Sequence, residues 1–354
     1  MQHFAVNVEK TLRGGIIAEA AELAAQKSGI LSDTPQLTTI RIATIPERMM
    51  YDVKELTVKP GRKVKLTFAN IDFMPHNIML VKPGKADEIG LKAVELGARG
   101  FDVGFVPESA DILWHSKLVD YGQEEVIEFT APMEEGAYPY LCSFPGHHRL
   151  MRGMLYVTDN LKEFLVKNPQ QVIKVTEWKH SDLKEDLKRV GQHRNFTSGK
   201  QLFSSLGCIQ CHRMNKEAAA TSSSLAGIGQ AVGPNIDDTV KKYKQDASAL
   251  LLEILESSRN VDEKYRQVIV ALENGKTHIG VIASEDDSML TILSGSPPKE
   301  LKIPKKSIDD RVASPLSIMP SGLLNTLDKE QILDLLAYLI AGGNADHAAF
   351  HHHH

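Results

Sequence analysis

Short segments from Leu37 onwards alternate apolar and polar residues with a period of two, which is typical of half-buried β-strands. In one of them Val64, Leu66 and Phe68 share a face, and Pro60-Gly61 supplies a turn before it. Further strand-like segments follow the same pattern: Thr39–Ala43, Ile78–Val81, Glu125–Phe129 and Met154–Val157. Several short strands separated by turns predict an all-β sandwich.

Helical patterns flank and interrupt this β region. Ile16–Lys27 is rich in alanine, and Gly29 is suited to terminate a helix there, so we expect residues 1–36 to form an N-terminal helical extension. Asp87–Gly97 predicts a helical insertion between strands. Residues 159–196 form a polar, structured connector after the sandwich. It contains two predicted helices and an extended segment between them: Leu161–Lys167, Ser181–Val190 and Val172–Trp178.

The C-terminal part, residues 197–345, has a mainly helical pattern. Thr197 or Ser198 is suited to cap a first helix that runs through Phe203. The last helix, Leu327–Ala341, has apolar residues at helical spacing and acidic residues in its first turn. Between them we predict a helix and a β insertion at about residues 265–308: helix Ala249–Ser257, then strands Gln267–Leu272, His278–Ala283 and Met289–Leu293.

Length and composition narrow the possible functions. The chain has 354 residues, enough for two domains, and its 42% hydrophobic and 24% charged residues are ordinary for a globular protein. The formal net charge of −4 gives no indication of nucleic-acid binding. No apolar run approaches the length that spans a bilayer, and the first ten residues lack the apolar core of a signal peptide. We interpret His351–His354 as an affinity tag.

Candidate metal chemistry is concentrated between Tyr140 and Met151, a segment that contains Cys142 and His147. A thiolate, two imidazoles and a weak, long thioether contact are the ligands of a blue-copper electron-transfer site. The second histidine must come from elsewhere, and His76, which follows a predicted strand, is the candidate. These four side chains together predict one type 1 copper site.

The other two cysteines lie in Cys208-Ile-Gln-Cys211-His212, the attachment sequence for one c-type haem. Two thioethers at this spacing fix the porphyrin edge, and the next residue, His212, is held beneath the iron as its proximal ligand. Zinc is the alternative for two close cysteines, but the sequence has no second cysteine pair to complete its shell. Covalent haem attachment implies export, so we expect a periplasmic or otherwise exported protein.

The copper segment resembles that of azurin and its relatives, which have the same Cys–His–Met spacing around a shared Phe-Pro-Gly-His. The resemblance covers roughly residues 37–158 and implies a cupredoxin domain, that is, a Greek-key β-sandwich. It also implies that Asn77 ties the two ligand loops together by hydrogen bonds, here to Ser143. By the same analogy, His147 reaches the surface within an apolar docking patch: Met74, Phe144, Pro145 and Leu150.

The resemblance extends to Trp114–Val119 and has two departures. The chain lacks azurin's disulfide, and Pro75 precedes His76 where azurin has glycine. The loop spacing assigns the second imidazole ligand to His147 rather than His148, which we expect to be exposed.

The C-terminal part resembles cytochrome c on both sides of the haem motif. Gly199 and Phe203 precede the motif, Gly233-Pro234 follows it, and an apolar helix ends the segment. In cytochromes c the first and last helices cross, and a proline carbonyl orients the proximal histidine. The resemblance therefore implies that Pro234 accepts a hydrogen bond from His212.

The sixth ligand of the haem iron is predicted from a second resemblance. Ser317–Gly322 looks like the distal loop of cytochromes c, which makes Met319 the candidate. The order of haem motif, β insertion and Met-Pro loop is similar to that of haem-binding C-terminal domains in some large multidomain bacterial proteins. The rival ligands are Met214, Met289, His278 and His193. Of these, Met214 is too close in sequence to His212, a methionine such as Met289 more often packs in a core, and His278 is expected at the surface.

These sites predict a one-electron carrier rather than an enzyme, because both metals are coordinatively full and leave no position for a substrate. Electrons would pass between copper and haem and on to other redox proteins, which dock at the patch around His147 or at the haem edge near Cys208 and Cys211. The alternative is the electron-delivery portion of a larger oxidoreductase. A binuclear copper site of the oxidase type would need a second cysteine where Gly146 lies. Copper storage or delivery is a third possible function, although proteins of that kind favour exposed methionine and histidine clusters over a buried thiolate site.

Overall fold

The computed structural model describes residues 23–46, 48–169, 175–214, 233–274, 277–294, 299–314 and 317–351. Ten strands occupy its N-terminal part. In chain order they are β1 (Gly29–Asp33), β2 (Thr38–Ile45), β3 (Met50–Tyr51), β4 (Glu55–Val58), β5 (Lys63–Asn70), β6 (Met79–Val81), β7 (Ile112–His115), β8 (Gln123–Thr130), β9 (Gly136–Leu141) and β10 (Arg152–Val157).

The ten strands form two five-stranded sheets. The first has the order β1-β2-β5-β8, with β3 paired to β2, and the second has the order β4-β10-β9-β6-β7. Two neighbouring pairs are parallel, β2 with β5 and β4 with β10, whereas the remaining pairs are antiparallel. The all-β sandwich predicted from the alternating pattern is therefore present.

The inward-facing side chains of both sheets form one hydrophobic core. Val64, Leu66 and Phe68 on β5 are all buried, as their shared face predicts. Tyr51 packs between the sheets, with its ring centroid 5.9 Å from that of Phe68 and 5.5 Å from that of Tyr140. This core fixes the position of β9, whose last residue precedes Cys142.

Two elements at the edges of the sandwich lie where the sequence predicted a helical extension and a helical insertion. Gly29–Asp33 forms strand β1 and pairs antiparallel with β2, so the helical extension predicted there is wrong for these residues. Local helical propensity does not reveal this pairing with the next strand, which decides the structure here. Residues 1–22 lie outside the described part. The predicted helical insertion is present as α1 (Ala86–Glu95), followed by a 3₁₀ turn at Gly97–Gly100.

The connector docks on the C-terminal part. Helix α2 (Leu161–Lys167) has the predicted bounds, but Ser181–Val190 is split into the short helix α3 (His180–Leu183) and a 3₁₀ turn. Part of the predicted extended segment lies outside the described residues. Within the rest, the indole N–H of Trp178 donates to the Leu327 carbonyl over 3.1 Å.

The C-terminal helices are α4 (Phe196–Ser205), α5 (Cys208–Cys211), α6 (Ile236–Lys242), α7 (Ala247–Leu255) and α8 (Lys329–Ile340). Asn195 caps α4 by accepting the Ser198 N–H over 2.9 Å, so the cap predicted at Thr197 or Ser198 is wrong. A methyl group on Gly199 would come within 2.5 Å of the Asp334 carbonyl oxygen. The absence of a side chain at Gly199 therefore lets α4 and α8 pack closely.

The β insertion is larger than predicted. Its antiparallel sheet has the order β14-β13-β12-β11-β15, and its strands are β11 (Gln267–Leu272), β12 (Thr277–Glu285), β13 (Met289–Ser294), β14 (Lys299–Pro304) and β15 (Ile308–Ala313). The insertion therefore continues to Ala313 rather than ending at about residue 308. One face of β11 packs against Phe73 of the sandwich. Within the described ranges, no helix combines the length and apolar character that crossing a bilayer requires.

Candidate metal centre

Three buried side chains converge just beyond the C-terminal end of β9. The Cys142 Sγ atom lies 3.6 Å from His147 Nδ1 and 3.8 Å from His76 Nδ1, and the two Nδ1 atoms are 3.2 Å apart. Each of the three side chains is 0% exposed. The structure therefore brings together three of the four predicted copper ligands, and this His–Cys–His group has the composition of a metal site.

The spacing of the donor atoms fits one first-row metal ion. With metal–nitrogen and metal–sulfur bonds of about 2.0 Å and about 2.3 Å, a planar three-ligand site places its nitrogens about 3.5 Å apart and each nitrogen about 3.7 Å from the sulfur. The three observed distances lie close to these values. A His₂Cys trigonal arrangement with a long thioether contact is the geometry of blue copper.

The loop between β9 and β10, residues 142–151 (the copper loop), positions the thiol and one imidazole. The Cys142 N–H donates to the Met151 carbonyl over 3.0 Å, and the Met151 N–H donates to the His147 carbonyl over 2.8 Å. Gly146 adopts a φ of 84°, which only glycine adopts without strain, and it starts the 3₁₀ turn that contains His147. Met151, the predicted thioether ligand, is fully buried in the same core cluster as Cys142.

The loop between β5 and β6 supplies His76. The His76 N–H donates to the Val119 carbonyl over 3.1 Å, and the Val119 N–H donates back over 2.8 Å. Next to it, Asn77 makes the predicted contacts with Ser143. The Asn77 amide donates to Ser143 Oγ over 2.8 Å, and its oxygen accepts the Ser143 N–H over 2.8 Å. These bonds lock the two loops together beside the metal donors.

Asp72 is a neighbour of the site that the sequence analysis missed. Its Oδ2 atom accepts a hydrogen bond from His76 Nε2 over 2.9 Å, and both side chains are buried. Burial lowers the pKa of His76, but the hydrogen bonds to Asp72 and Cys142 outweigh this effect and raise it to about 9. Asp72 lies four residues before a ligand in an irregular loop, and no motif or periodicity marks such a position.

His147 has a different electrostatic environment. Burial, together with His76 and His148, holds the pKa of His147 well below its usual value. A neutral imidazole offers the lone pair that a metal requires. The Nε2 atom of His147 is buried and has no hydrogen-bond partner among the described residues.

The β-sandwich and its buried His–Cys–His group define a cupredoxin, a copper-binding β domain. The profile of "Copper binding proteins, plastocyanin/azurin family" matches residues 39–158, and the chain belongs to this family. Auracyanin-A of Chloroflexus aurantiacus is 36% identical over 121 residues, which cover 34% of this chain and 74% of the relative. Azurin-1 of Alcaligenes xylosoxydans xylosoxydans is 34% identical over 127 residues, which cover 31% of this chain and 91% of the relative.

Among solved structures, the Na-dithionite reduced auracyanin from the photosynthetic bacterium Roseiflexus castenholzii is 35% identical. The match covers 34% of this chain and 96% of that chain, with a TM-score of 0.31. Residues 159–351 lie outside the segment that the family profile matches.

The surroundings of His147 differ from the prediction. His147 is 0% exposed, so the expectation that it reaches the surface is wrong. In the predicted docking patch, Pro145 is buried and the other three residues are half-buried. The C-terminal part covers this region, because Leu323 belongs to the sandwich core and Met319 packs against it. The apolar patch is thus an internal contact between the two parts of the chain.

His148 is also buried, which contradicts the predicted exposure. It is 1% exposed and packs against helix α1, where a methyl group on Gly90 would come within 2.3 Å of its ring. Burial and the nearby Arg152 and Arg149 lower the pKa of His148 to about 4. The helical insertion of the sandwich, rather than solvent, covers this side of the copper loop.

A cavity of about 910 Å³ separates the sandwich from the C-terminal helices and the β insertion. This volume lies within the range of cofactor sites, about 300–1,000 Å³. His147 and Phe144 line it from the copper loop, and three residues of the predicted haem motif line it from the opposite part of the chain: Cys208, Cys211 and His212. Residues of both predicted cofactor sites therefore face one internal space.

One contact predicted for the haem motif is present in the structure. The His212 Nδ1–H donates to the Pro234 carbonyl over 2.9 Å, as the resemblance to cytochromes c implies. This bond leaves Nε2 available as a ligand atom. Burial raises the pKa of the thiols of Cys208 and Cys211, to about 12 and about 11, so the unattached side chains are held as neutral thiols.

Met319 lines the same cavity as His212. Its backbone is held at both ends, because its N–H donates to Ser317 Oγ over 3.0 Å and its carbonyl accepts from Ser257 Oγ over 2.8 Å. Of the rivals, Met214 is buried in the helical core, Met289 starts strand β13 and His193 is exposed. His278 is half-buried and also lines the cavity, so its predicted surface position is wrong.

The copper loop touches the turn at Leu206–Gly207 that leads into the predicted haem motif (the haem loop). A methyl group on Gly146 would come within 2.4 Å of the Leu206 carbonyl oxygen, and one on Gly207 within 2.8 Å of the Pro145 carbonyl carbon. Both glycines have a positive φ, 84° and 78°. Two backbone turns are thus packed against each other, one residue before His147 and one residue before Cys208.

Proposed function

We propose that this protein is a one-electron carrier that relays electrons between a type 1 copper centre and a c-type haem, and on to external redox partners. The observation that carries the proposal is the contact between the copper loop and the haem loop. Gly146 precedes the predicted copper ligand His147, and Gly207 precedes the predicted haem attachment residue Cys208, so the contact joins the two sites by a short path.

At the copper site, the ligands would be His76, Cys142, His147 and Met151. Copper held there would accept and release one electron. The donor atoms are already close to their metal-bound spacing, so the ligands need little rearrangement when the charge changes. Asn77 and Ser143 preserve that spacing by joining the two ligand loops. A full ligand set leaves no position for a substrate, which favours transport over catalysis.

At the haem site, Cys208 and Cys211 would carry the thioether bonds, and His212 would be the proximal ligand oriented by Pro234. Met319 would be the distal ligand. Haem c would supply a second one-electron centre, with a potential raised by the methionine. The unpartnered Nε2 atom of His147 supports a group in the cavity, because buried polar atoms in native proteins are nearly always hydrogen-bonded.

The proposed organisation is an azurin-like cupredoxin domain at residues 37–158, a connector at 159–196 and a cytochrome c domain at 197–345 with the β insertion. Covalent haem attachment places such a protein in the periplasm or otherwise outside the cytoplasm. Since the C-terminal part covers the patch around His147, external partners would dock at the haem edge near Cys208 and Cys211, both of which are half-buried.

The second candidate function is the electron-delivery portion of a larger oxidoreductase. The observation that favours it is the length of chain outside the family match, which includes a five-stranded sheet packed on the sandwich near Phe73. The copper and haem residues would have the same roles in that case, and the electrons would be delivered to the larger protein.

Visible spectra with and without reductant test the proposed pair of cofactors. The oxidised protein is expected to show a thiolate-to-copper band, and reduction is expected to bleach it and sharpen the haem bands. Replacing Met319 by leucine, which conserves volume, should remove the weak near-infrared sulfur-to-iron band and lower the haem potential. Met214→Leu, in the helical core, is the matched control and should retain both. A near-infrared band that survives in Met319→Leu would reassign the distal ligand to another methionine, whereas its absence from the wild-type protein would make His278 the next candidate.

A further inference from the structure

We infer that Asp72 tunes the copper centre by holding His76 with an anionic hydrogen bond, which favours oxidised over reduced copper. The inference rests on the proposed role of His76 as a copper ligand and does not require the haem. Asp72 follows β5 in the short loop that leads to His76, and its side chain is 7% exposed.

The two carboxylate oxygens of Asp72 accept different hydrogen bonds. Oδ1 accepts the Phe73 N–H over 2.8 Å, and Oδ2 accepts the His76 Nε2–H over 2.9 Å. The Asp72 N–H in turn donates to Asn70 Oδ1 over 2.9 Å. The carboxylate is therefore fixed by its own loop before it contacts the imidazole, and it does not depend on the metal for its position.

The contact determines which nitrogen of His76 is available to a metal. Nδ1 faces the other donors, 3.8 Å from Cys142 Sγ and 3.2 Å from His147 Nδ1, while Nε2 points away to Asp72. An ionised carboxylate only accepts hydrogen bonds, so it keeps the proton on Nε2 and leaves the Nδ1 lone pair for the metal. A ligand histidine held by a carboxylate is more basic than one held by a neutral group.

The two imidazoles of the site therefore differ. His76 is paired with an anion, whereas the Nε2 atom of His147 has no partner within the described part of the chain. A negative charge beside one ligand, away from bulk water, stabilises the doubly charged oxidised ion more than the singly charged reduced ion.

The test is the variant Asp72→Asn in the copper-loaded full chain, which removes the charge and keeps the side chain nearly the same size. Mutating the side chain that holds a metal-ligating histidine typically changes metal affinity or activity about tenfold or more. We expect the preference for oxidised over reduced copper to fall about tenfold, which equals a rise of about 59 mV in the copper potential. The thiolate-to-copper band should remain.

Glu128→Gln is the matched control, because it removes an exposed carboxylate of the same sandwich on strand β8. It should leave the copper potential unchanged. A retained blue band with an unchanged potential in Asp72→Asn would overturn the inference, as would an equal rise in both variants. Failure of the wild-type protein to show the blue band would instead remove the copper-ligand role of His76 on which the inference rests.

A second measurement needs no variant of Asp72. Pulsed electron paramagnetic resonance of the oxidised wild-type protein detects the remote Nε2 nitrogen of each histidine ligand. We expect two inequivalent nuclear quadrupole couplings, since only one Nε2–H donates to a carboxylate. Two equivalent remote nitrogens would overturn the inference even if Asp72→Asn failed to fold.

Discussion

Replacement of Cys142 by serine is expected to abolish the intense visible absorption of the copper centre and to leave the bands of the proposed haem unchanged. Cys142 is the thiol of the buried His–Cys–His group, with the two Nδ1 atoms 3.6 and 3.8 Å from its sulfur. The band arises from charge transfer between a thiolate and copper, and a serine oxygen cannot supply it. The haem bands of the same sample serve as an internal reference, because the haem motif lies on another part of the chain.

Cys211→Ser is the reciprocal variant and uses the same chemical change. It removes one thioether of the proposed haem site, so part or all of the haem should be lost on denaturation, whereas the copper band remains. A blue band that survives in Cys142→Ser would contradict the copper assignment. Loss of both chromophores in either single variant would mean that the two sites do not form independently.

The substitution Gly207→Ala is expected to slow electron transfer between the two proposed centres several-fold or more, without altering either absorption spectrum. A methyl group on Gly207 would come within 2.8 to 2.9 Å of three backbone atoms of Pro145 and Gly146, a contact that backbone atoms cannot relieve by rotating. The haem loop must therefore move away from the copper loop. Electron tunnelling falls steeply with distance, so even a small separation is detectable as a slower rate.

Gly84→Ala is the matched control for this variant. Gly84 has a φ of 75°, close to the 78° of Gly207, and a methyl group there would meet nothing within 4 Å. Both variants carry the strain of a left-handed residue, about 1–2 kcal/mol, but only one disturbs the contact. An unchanged rate in Gly207→Ala, or an equal decrease in both variants, would show that the loop contact is not the path.

The sequence was sufficient for the features that depend on local pattern. The alternation of Val64, Leu66 and Phe68 identified a strand, because burial of one face imposes a period of two. The metal donors could also be predicted from the sequence. Cys142 and His147 lie in one short loop, and metal coordination sets the number of residues between them. The Asn77–Ser143 link followed from the resemblance to azurin and is present.

Features that depend on packing between distant segments were missed. His147 was expected at the surface by analogy with azurin, yet Leu323, about 180 residues further on, belongs to the core beside it. Strand β1 was missed because its residues were included in the N-terminal extension, whereas pairing with β2 sets their conformation. Asp72 was overlooked for a related reason: its role depends on the loop conformation that brings Oδ2 to His76.

The most direct test of the relay is time-resolved reduction of the wild-type protein by a brief flash in the presence of an external photoreductant. One centre is reduced first, and the copper and haem bands report when the electron reaches the other. We predict a second phase in which one band bleaches as the other changes, with a rate constant that is independent of protein concentration. A rate constant that rises in proportion to protein concentration would contradict the relay, because the electron would then move between molecules instead of through the contact of Gly146 with Leu206.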